Sequence, residues 1–590
     1  MEIPYRDIER EERRFWDDRL EVVDYDAATQ RYFRAVDLRN DEIAMSQGLE
    51  PQEQDPQFHQ QMVYAVASKV LENFDRALGR RLRFRRGERL RLIPHAFQAR
   101  NAYFDKRLNA VLFGYFPADE EDPGPNLPGQ WIFTCLSHDI IAHEVAHAAL
   151  SRLHVHYDEP TNPEVPALHE AFADIVALFQ RLTFPEVVAP AIRDCRGDLL
   201  DPASRLLDVG AQFGAAAGRG GPLRRIAGKP DPALLLRTKE PHALGWVLVS
   251  AAYEGFVSTY VKKTRDLLRI ATGGSGTLPA GELHPDLVNR LTTECVKVAQ
   301  AVLSMCIRAT DYLPPVDPTF SDFLRAMVTA DFELNRADDS GLRAAMIEAF
   351  RQRGIRPKAV GSLTAESLLL ESEDDTEASP DPKLAGLVHQ LLAFGVQELD
   401  RGVRGARSAQ MARSRRRLPQ SRAQPVDKSD SDEVSESGDG YEDEGEEPEK
   451  VLRTVAVSLH AWAVRNRNRL KLDPDPDLQI ALRGFHPVHR TAANGELLVE
   501  MVAQFVQTKK QSSDLGGLCY RAGTTMVANF SGQVRYLIVK PFHAEREQAL
   551  TDWVRAFDTE NVDSWATSKP SPKRIVEAHS AKAMDQRRWR

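Results

Sequence analysis

Between Ser137 and His147 the chain reads Ser-His-Asp-Ile-Ile-Ala-His-Glu-Val-Ala-His, and three of these residues have the types and spacing of a metal centre. His143 and His147 are four positions apart. On a helix of 3.6 residues per turn both imidazoles fall on one face, about 6 Å apart along the axis, within reach of one ion. Glu144 lies beside the same ion as a free carboxylate. This H-E-x-x-H arrangement suits hydrolysis by a metal-activated water, with Zn2+ as the expected cofactor and Glu144 as general base. Three fixed letters in five also occur by chance on polar helix faces, so the reading leans on what the rest of the chain supplies.

The element that must carry the motif is a helix from near Cys135 to about Leu153, with Ser137 as N-cap and Ile140, Ile141, Val145, Ala148 and Leu150 turned to a core. A second helix is expected after the loop 154–163, with Pro166 in its first turn and Pro185 closing it. Glu170 and Asp174 are one turn apart on that helix, and Phe172, Ile175, Val176 and Phe179 are available for packing. A catalytic zinc takes three protein ligands and keeps one open position, so Glu170 suits the third place. Asp174 then suits the acceptor of a ligand histidine's second ring N–H.

Composition bounds the rest. A chain of 590 residues implies two to four domains, and a net charge of −9 argues against wholesale nucleic-acid binding. The opening residues contain no apolar leader and no run of some twenty apolar residues occurs, so neither export nor membrane spanning is expected, and a cytoplasmic protein is. Five cysteines at 135, 195, 295, 306 and 519 form no C-x-x-C pair and read as reduced thiols.

Taken in order, residues 1–54 read as an N-terminal extension and 58–82 as an amphipathic helix, with strands expected between Arg81 and Pro94. Arg100 to Phe116 reads as a β-hairpin turning at Asp105–Arg107, one edge of which can pair with an extended peptide. Gly210–Gly221 suggests a mobile connection, and helices are expected at 240–256, 284–307 and 319–353. Residues 358–450 are expected to form a charged, largely disordered linker, basic at Arg401–Arg422 and acidic at Val426–Lys450, with room for a short helix at Leu384–Leu399. A small α/β or α+β domain at 451–545 follows, with a hairpin turn at Ser531–Gln533, and then a polar tail at 546–590. That C-terminal domain is the expected place for a protein partner.

With His143, Glu144, His147, Glu170 and Asp174 together, the chain resembles the thermolysin-like (gluzincin, M4-like) zinc metallopeptidases, whose pattern is H-E-x-x-H followed on a second helix by E-x-x-x-D. The resemblance covers roughly residues 55–357. It implies an α+β fold with a two-lobed zincin catalytic domain, β-rich in the N-terminal lobe and helical in the C-terminal lobe, and a cleft between. It also implies that Asn101-Ala102-Tyr103-Phe104 is the strand that binds substrate backbone, that His242 in Pro241-His242 is the catalytic histidine, and that Tyr157 is a second donor to the transition state. The 23 positions from His147 to Glu170 are somewhat more than the family usually has, and His169 stands where Asn is common. No convincing calcium ligands are found.

The expected activity is therefore that of an intracellular endopeptidase acting on protein or peptide substrates. An aminopeptidase of the wider group would share the ligands, but no Gly-x-Met-Glu-Asn motif for a free amino terminus occurs. A non-catalytic zinc scaffold, with the C-terminal module binding a partner, would need neither Glu144 nor His242. An active protease also needs restraint, and the adjoining basic and acidic blocks make the linker or the C-terminal domain its expected source.

Overall fold

The computed structural model describes residues 7–84, 88–124, 126–199, 208–209, 224–225, 230–358, 360–372, 380–393, 448–509 and 518–560. The connection at Gly210–Gly221, the blocks at Arg401–Arg422 and Val426–Glu447, and the tail beyond residue 560 lie outside them. The protein is α+β, β-rich towards the N-terminus and helical in the middle.

Seven strands form the N-terminal sheet: β1 Glu9–Arg10, β2 Arg14–Trp16, β3 Leu20–Val23, β6 Leu90–Phe97, β7 Ala102–Asp105, β8 Ala110–Pro117 and β9 Trp131–Phe133. A small hairpin, β4 Tyr25–Asp26 with β5 Arg31–Tyr32, lies off it. The order is β1-β2-β3-β6-β8-β7, with β9 also on β8; β3, β6 and β8 run parallel, and β7 lies antiparallel at the edge. The segment expected only as an extension thus supplies three strands to this sheet. Runs of two to four residues interleaved with charge are too short to show a period of two.

After the short helix α1, Asp41–Met45, α2 spans Pro56–Leu78 and crosses between β3 and β6. Asp55 caps it by accepting from the Gln57 N–H at 2.9 Å, and Pro56 occupies the position where a missing N–H costs nothing. Val63, Val66, Val70, Leu71, Phe74 and Leu78 are buried along one face, so burial rather than propensity holds the helix. Gly79 ends it in the left-handed conformation at φ 68°. A side chain there would also collide with the His489 carbonyl.

A single 3-10 turn, Thr134–Leu136, leads into α3, His138–Leu153. Ser137 takes the N-cap position, although its hydroxyl makes no capping bond. Then come α4 Glu164–Arg181, α5 Pro185–Asp194, the two-residue strands β10 Asp208–Val209 and β11 Arg224–Arg225, α6 Leu234–Arg237, α7 Pro241–Ala271, α8 Pro285–Ala309, α9 Phe320–Leu334 and α10 Leu342–Gln352. Among the described residues no single helix is long and apolar enough to cross a membrane. The apolar content of α4 is spent in the core, where Phe172, Ile175, Val176 and Phe179 are buried.

The C-terminal part is a four-stranded antiparallel meander, β12 Ile480–Thr491, β13 Leu497–Thr508, β14 Arg521–Asn529 and β15 Val534–Lys540, followed by a helix at Ala544–Glu560. A helix at 382–393, inside the stretch expected as linker, buries Leu384, Val388 and Leu391 in one cluster with Trp462, Met501, Phe505 and Met526. The other side of the sheet joins the main core through Val488, Val502, Val527, Tyr536 and Ile538. Asp311, buried after α8, pairs with Arg80 at 2.7 Å and with Arg490 of β12, while His486 Nε2 lies 3.4 Å away. Arg535 of β15 reaches Glu333 at 2.7 Å and Glu500 at 3.0 Å, and Thr525 donates to the Leu313 carbonyl.

These contacts make the C-terminal sheet a support for the helical region. Asp311→Ala leaves Arg80 and Arg490 buried without their carboxylate, and a loss of about 3–5 kcal/mol is expected in denaturant unfolding. His154, at the end of α3, is equally exposed to this junction. It donates Nε2–H to the Thr310 carbonyl at 2.8 Å and accepts from Gln504 of β13 at 3.3 Å, which fixes a neutral ring. Burial lowers its pKa to about 4, outweighing the Asp311 carboxylate. The folded state therefore binds this proton less readily than the unfolded chain, and stability is retained above pH ~6.5 and lost as pH falls towards 4. The expected loss at this residue is on the order of 3 kcal/mol, read as a falling melting temperature across that range that is blunted in His154→Gln.

Candidate metal centre

Helices α3 and α4 run antiparallel, so the start of one meets the end of the other. Asp139 in the first turn of α3 pairs with Arg181 in the last turn of α4 at 2.9 Å, and Asn73 of α2 donates to Gln180 at 2.9 Å. With the helices held in this register, His143 faces Asp174 and His147 faces Glu170. His143 Nδ1 is 2.9 Å from Asp174 Oδ1. Its Nε2 is 2.9 Å from His147 Nε2 and 3.5 Å from Glu170 Oε2, and His147 Nε2 is 3.7 Å from that same oxygen. His143, His147 and Glu170 thus form a group able to hold one metal ion.

The outer ring nitrogens decide what the inner ones can do. A carboxylate only accepts, so Asp174 takes the Nδ1–H of His143 and leaves a lone pair on Nε2. His147 Nδ1 lies 2.6 Å from His169 Nδ1, and His169 Nε2 lies 3.2 Å from Asp158 Oδ1. By the same rule Asp158 takes His169 Nε2–H, His169 Nδ1 accepts from His147 Nδ1–H, and His147 Nε2 is left as a lone pair. With these imidazoles neutral, two lone pairs and a carboxylate oxygen face one another with no proton between them. A bound cation would satisfy all three donors at once.

Asp158 is itself anchored by Ser151 at 2.7 Å and by Lys106 from the β7–β8 turn. Burial would raise its pKa, but the hydrogen bond from His169 and the Lys106 ammonium hold it well below the usual carboxylate range. The spacing of residues does not reveal this support: His169 stood out only as a departure from Asn, and Asp158 carried no signal at all. Its role follows from a loop returning alongside α3.

The remaining expected residues divide. Glu144 is buried and accepts the Phe104 backbone N–H of edge strand β7 at 3.0 Å. Burial raises its pKa to about 7, against the pull of His143 and the Phe104 N–H and aided by Glu170. Burial likewise lowers His147 to about 3, and the neighbouring His242, His147 and His143 overcome burial to keep Glu170 well below its ordinary value. His242, in the first turn of α7, reaches the group, with Nδ1 3.3 Å from Glu170 Oε2. Gly245 permits that approach, because a Cβ there would lie 2.8 Å from the Ala167 carbonyl of α4.

Asn101 and Ala102 lead into β7, where Ala102 pairs with Phe113 and the Asn101 carbonyl accepts from Gly114 at 2.9 Å. Tyr157 is not drawn into the group. Its ring stacks on His154 in the core and its hydroxyl donates to the Pro314 carbonyl at 2.6 Å.

No protein-family model matches this chain, and no curated protein matches it.

The ligand set has a direct test in the isolated protein. His147→Ala should lose the ion held by this group, whereas Asp174→Ala should keep the ligands but bind about 10–100-fold more weakly in competition with a chelator, because the His143 ring is no longer held. Unchanged affinity in both variants would count against these ligands.

Proposed function

We propose that the protein is a zinc-dependent endopeptidase of the thermolysin-like (gluzincin) kind, with a two-lobed zincin catalytic domain whose β-rich and helical lobes meet at α3. The observation that carries this reading is the convergence of His143 Nε2, His147 Nε2 and Glu170 Oε2, with Glu144 on the next residue of the same helix. Two imidazoles and one carboxylate are the donor set of a hydrolytic zinc, and the residues fit that ion. Zinc, when bound, supplies Lewis-acid polarisation and lowers the pKa of a coordinated water to about 7.

Glu144 takes the proton of the attacking water and delivers it to the leaving amine. Its carboxylate is aimed by the Phe104 N–H, so base and substrate-binding strand are tied by one hydrogen bond. His242, held over Glu170, is the donor for an oxygen gaining negative charge, while Tyr157 has no part because its hydroxyl is engaged in the core. Edge strand β7 offers backbone groups to an extended peptide beside Glu144, which favours protein or peptide substrates over other amides. A cytoplasmic setting is supported by five cysteines that form no disulfide.

Glu144→Gln should retain zinc and lose proteolysis of casein by about 10²–10⁴-fold, and a chelator should abolish activity of the parent protein. Cleavage of N-acetylated peptides should persist in the parent, which separates an endopeptidase from an aminopeptidase. Equal activity of Glu144→Gln and the parent would overturn the proposal.

A further inference from the structure

A second set of metal-type donors lies behind the N-terminal sheet. His59 of α2, His95 of β6 and Cys135 of the 3-10 turn before α3 each present a donor atom, all within 4.8 Å of one another, and all three residues are buried. His59 and His95 are 36 positions apart, so no local motif joins them.

The hydrogen bonds around this set repeat the logic of the first group. His59 Nε2 lies 2.9 Å from the Glu53 carbonyl oxygen, which can only accept, so the proton sits on Nε2. His95 Nδ1 lies 2.7 Å from Asp24 Oδ1, and that carboxylate takes the Nδ1–H. Asp24 is held in turn by Gln60 Nε2 at 2.9 Å. The inner nitrogens, His59 Nδ1 and His95 Nε2, then face each other at 2.9 Å with a lone pair on each when both rings are neutral. A ligand histidine characteristically donates its second N–H to a carboxylate or a backbone carbonyl, and both partners occur here.

Two completions satisfy these nitrogens. A proton on His95 Nε2 would bridge them and pair with Asp24, but it leaves the Cys135 thiol unused beside them. A divalent ion uses all three donors. Cys135 binds as the thiolate and releases its proton to solvent, so the double charge of the ion is matched by the thiolate and the Asp24 carboxylate. The walls are aromatic: Phe133 packs on His59 at 4.6 Å and on His95 at 5.5 Å, with Phe33 and Tyr115 also against His95, and a water would fill the fourth place that three donors leave. Burial raises the free thiol far above its ordinary range, so without an ion it stays protonated. Imidazole and thiolate donors select zinc over magnesium or calcium.

We propose that His59, His95 and Cys135 hold a second, structural zinc ion that pins α2, β6 and the entry to α3 together. The site is separate from the His143–His147–Glu170 group and does not depend on it.

Full-length protein, its His147→Ala variant and its Cys135→Ser variant are loaded with Co2+, dialysed, and measured for metal content and absorption. The parent should hold about two ions per chain, and each variant about one. Thiolate-to-cobalt charge transfer in the near ultraviolet should be present in the parent and in His147→Ala and absent from Cys135→Ser. Lack of that band in cobalt-loaded His147→Ala overturns the proposal, whether or not Cys135→Ser folds. A parent holding one ion that carries the band would leave this site standing and remove the first group.

Discussion

The placement of protons on the outer edges of His143 and His147 is the constraint on which the rest depends. Each ring is held from behind, one by Asp174 and the other through His169 and Asp158, so each turns an electron pair towards the other and towards Glu170. Lone pairs at 2.9 Å repel, and both rings are only partly open to water. The chain carries this cost with packing elsewhere. Asp139–Arg181, the buried face of α4 and the close approach at Gly245 lock α3, α4 and α7 together, so the rings cannot turn aside. A preorganised group of this kind binds a cation without first paying to order its ligands.

Support for that lock reaches well beyond the helices. The N-terminal end of α3 emerges from the turn carrying Cys135, against α2 and β6. Its C-terminal end rests on His154, which touches both the Thr310 carbonyl and Gln504 of the C-terminal sheet. The Asp311 cluster joins the end of α2 to β12, and Gly79 lets the two chains approach closely enough for the His489 N–H to reach the Gly79 carbonyl at 3.1 Å. The C-terminal sheet therefore contributes to the rigidity of the candidate centre without supplying a residue to it. Deleting it would remove Val488, Val502 and Val527, which complete the main core, so loss of activity on truncation has a structural cause before any regulatory one.

Much of the centre is legible locally. The H-E-x-x-H spacing, the Glu170/Asp174 pair and the 102–105/110–117 hairpin each follow from a period of 3.6 or 2 within a short window, and the structure carries each on the element expected. The strands between residues 9 and 32 are not legible, because they are too short and too charged to show alternation. The short helix expected at Leu384–Leu399 is present at 382–393, but its place against Trp462 and Met526 is not legible, since it depends on a segment more than sixty residues away.

The sequence by itself determined which residues could share a helix face: His143 with His147, and Glu170 with Asp174. That follows from the fixed geometry of a helix, which turns spacing into direction. Only the tertiary structure decided that these two faces oppose each other, that His169 and Asp158 set the proton on His147, that Tyr157 spends its hydroxyl on Pro314, and that His59, His95 and Cys135 meet. These are contacts between segments brought together by chain closure and core packing. Neither leaves a period in the sequence, because the partner of each residue is chosen by the summed burial of whole elements and not by its neighbours along the chain.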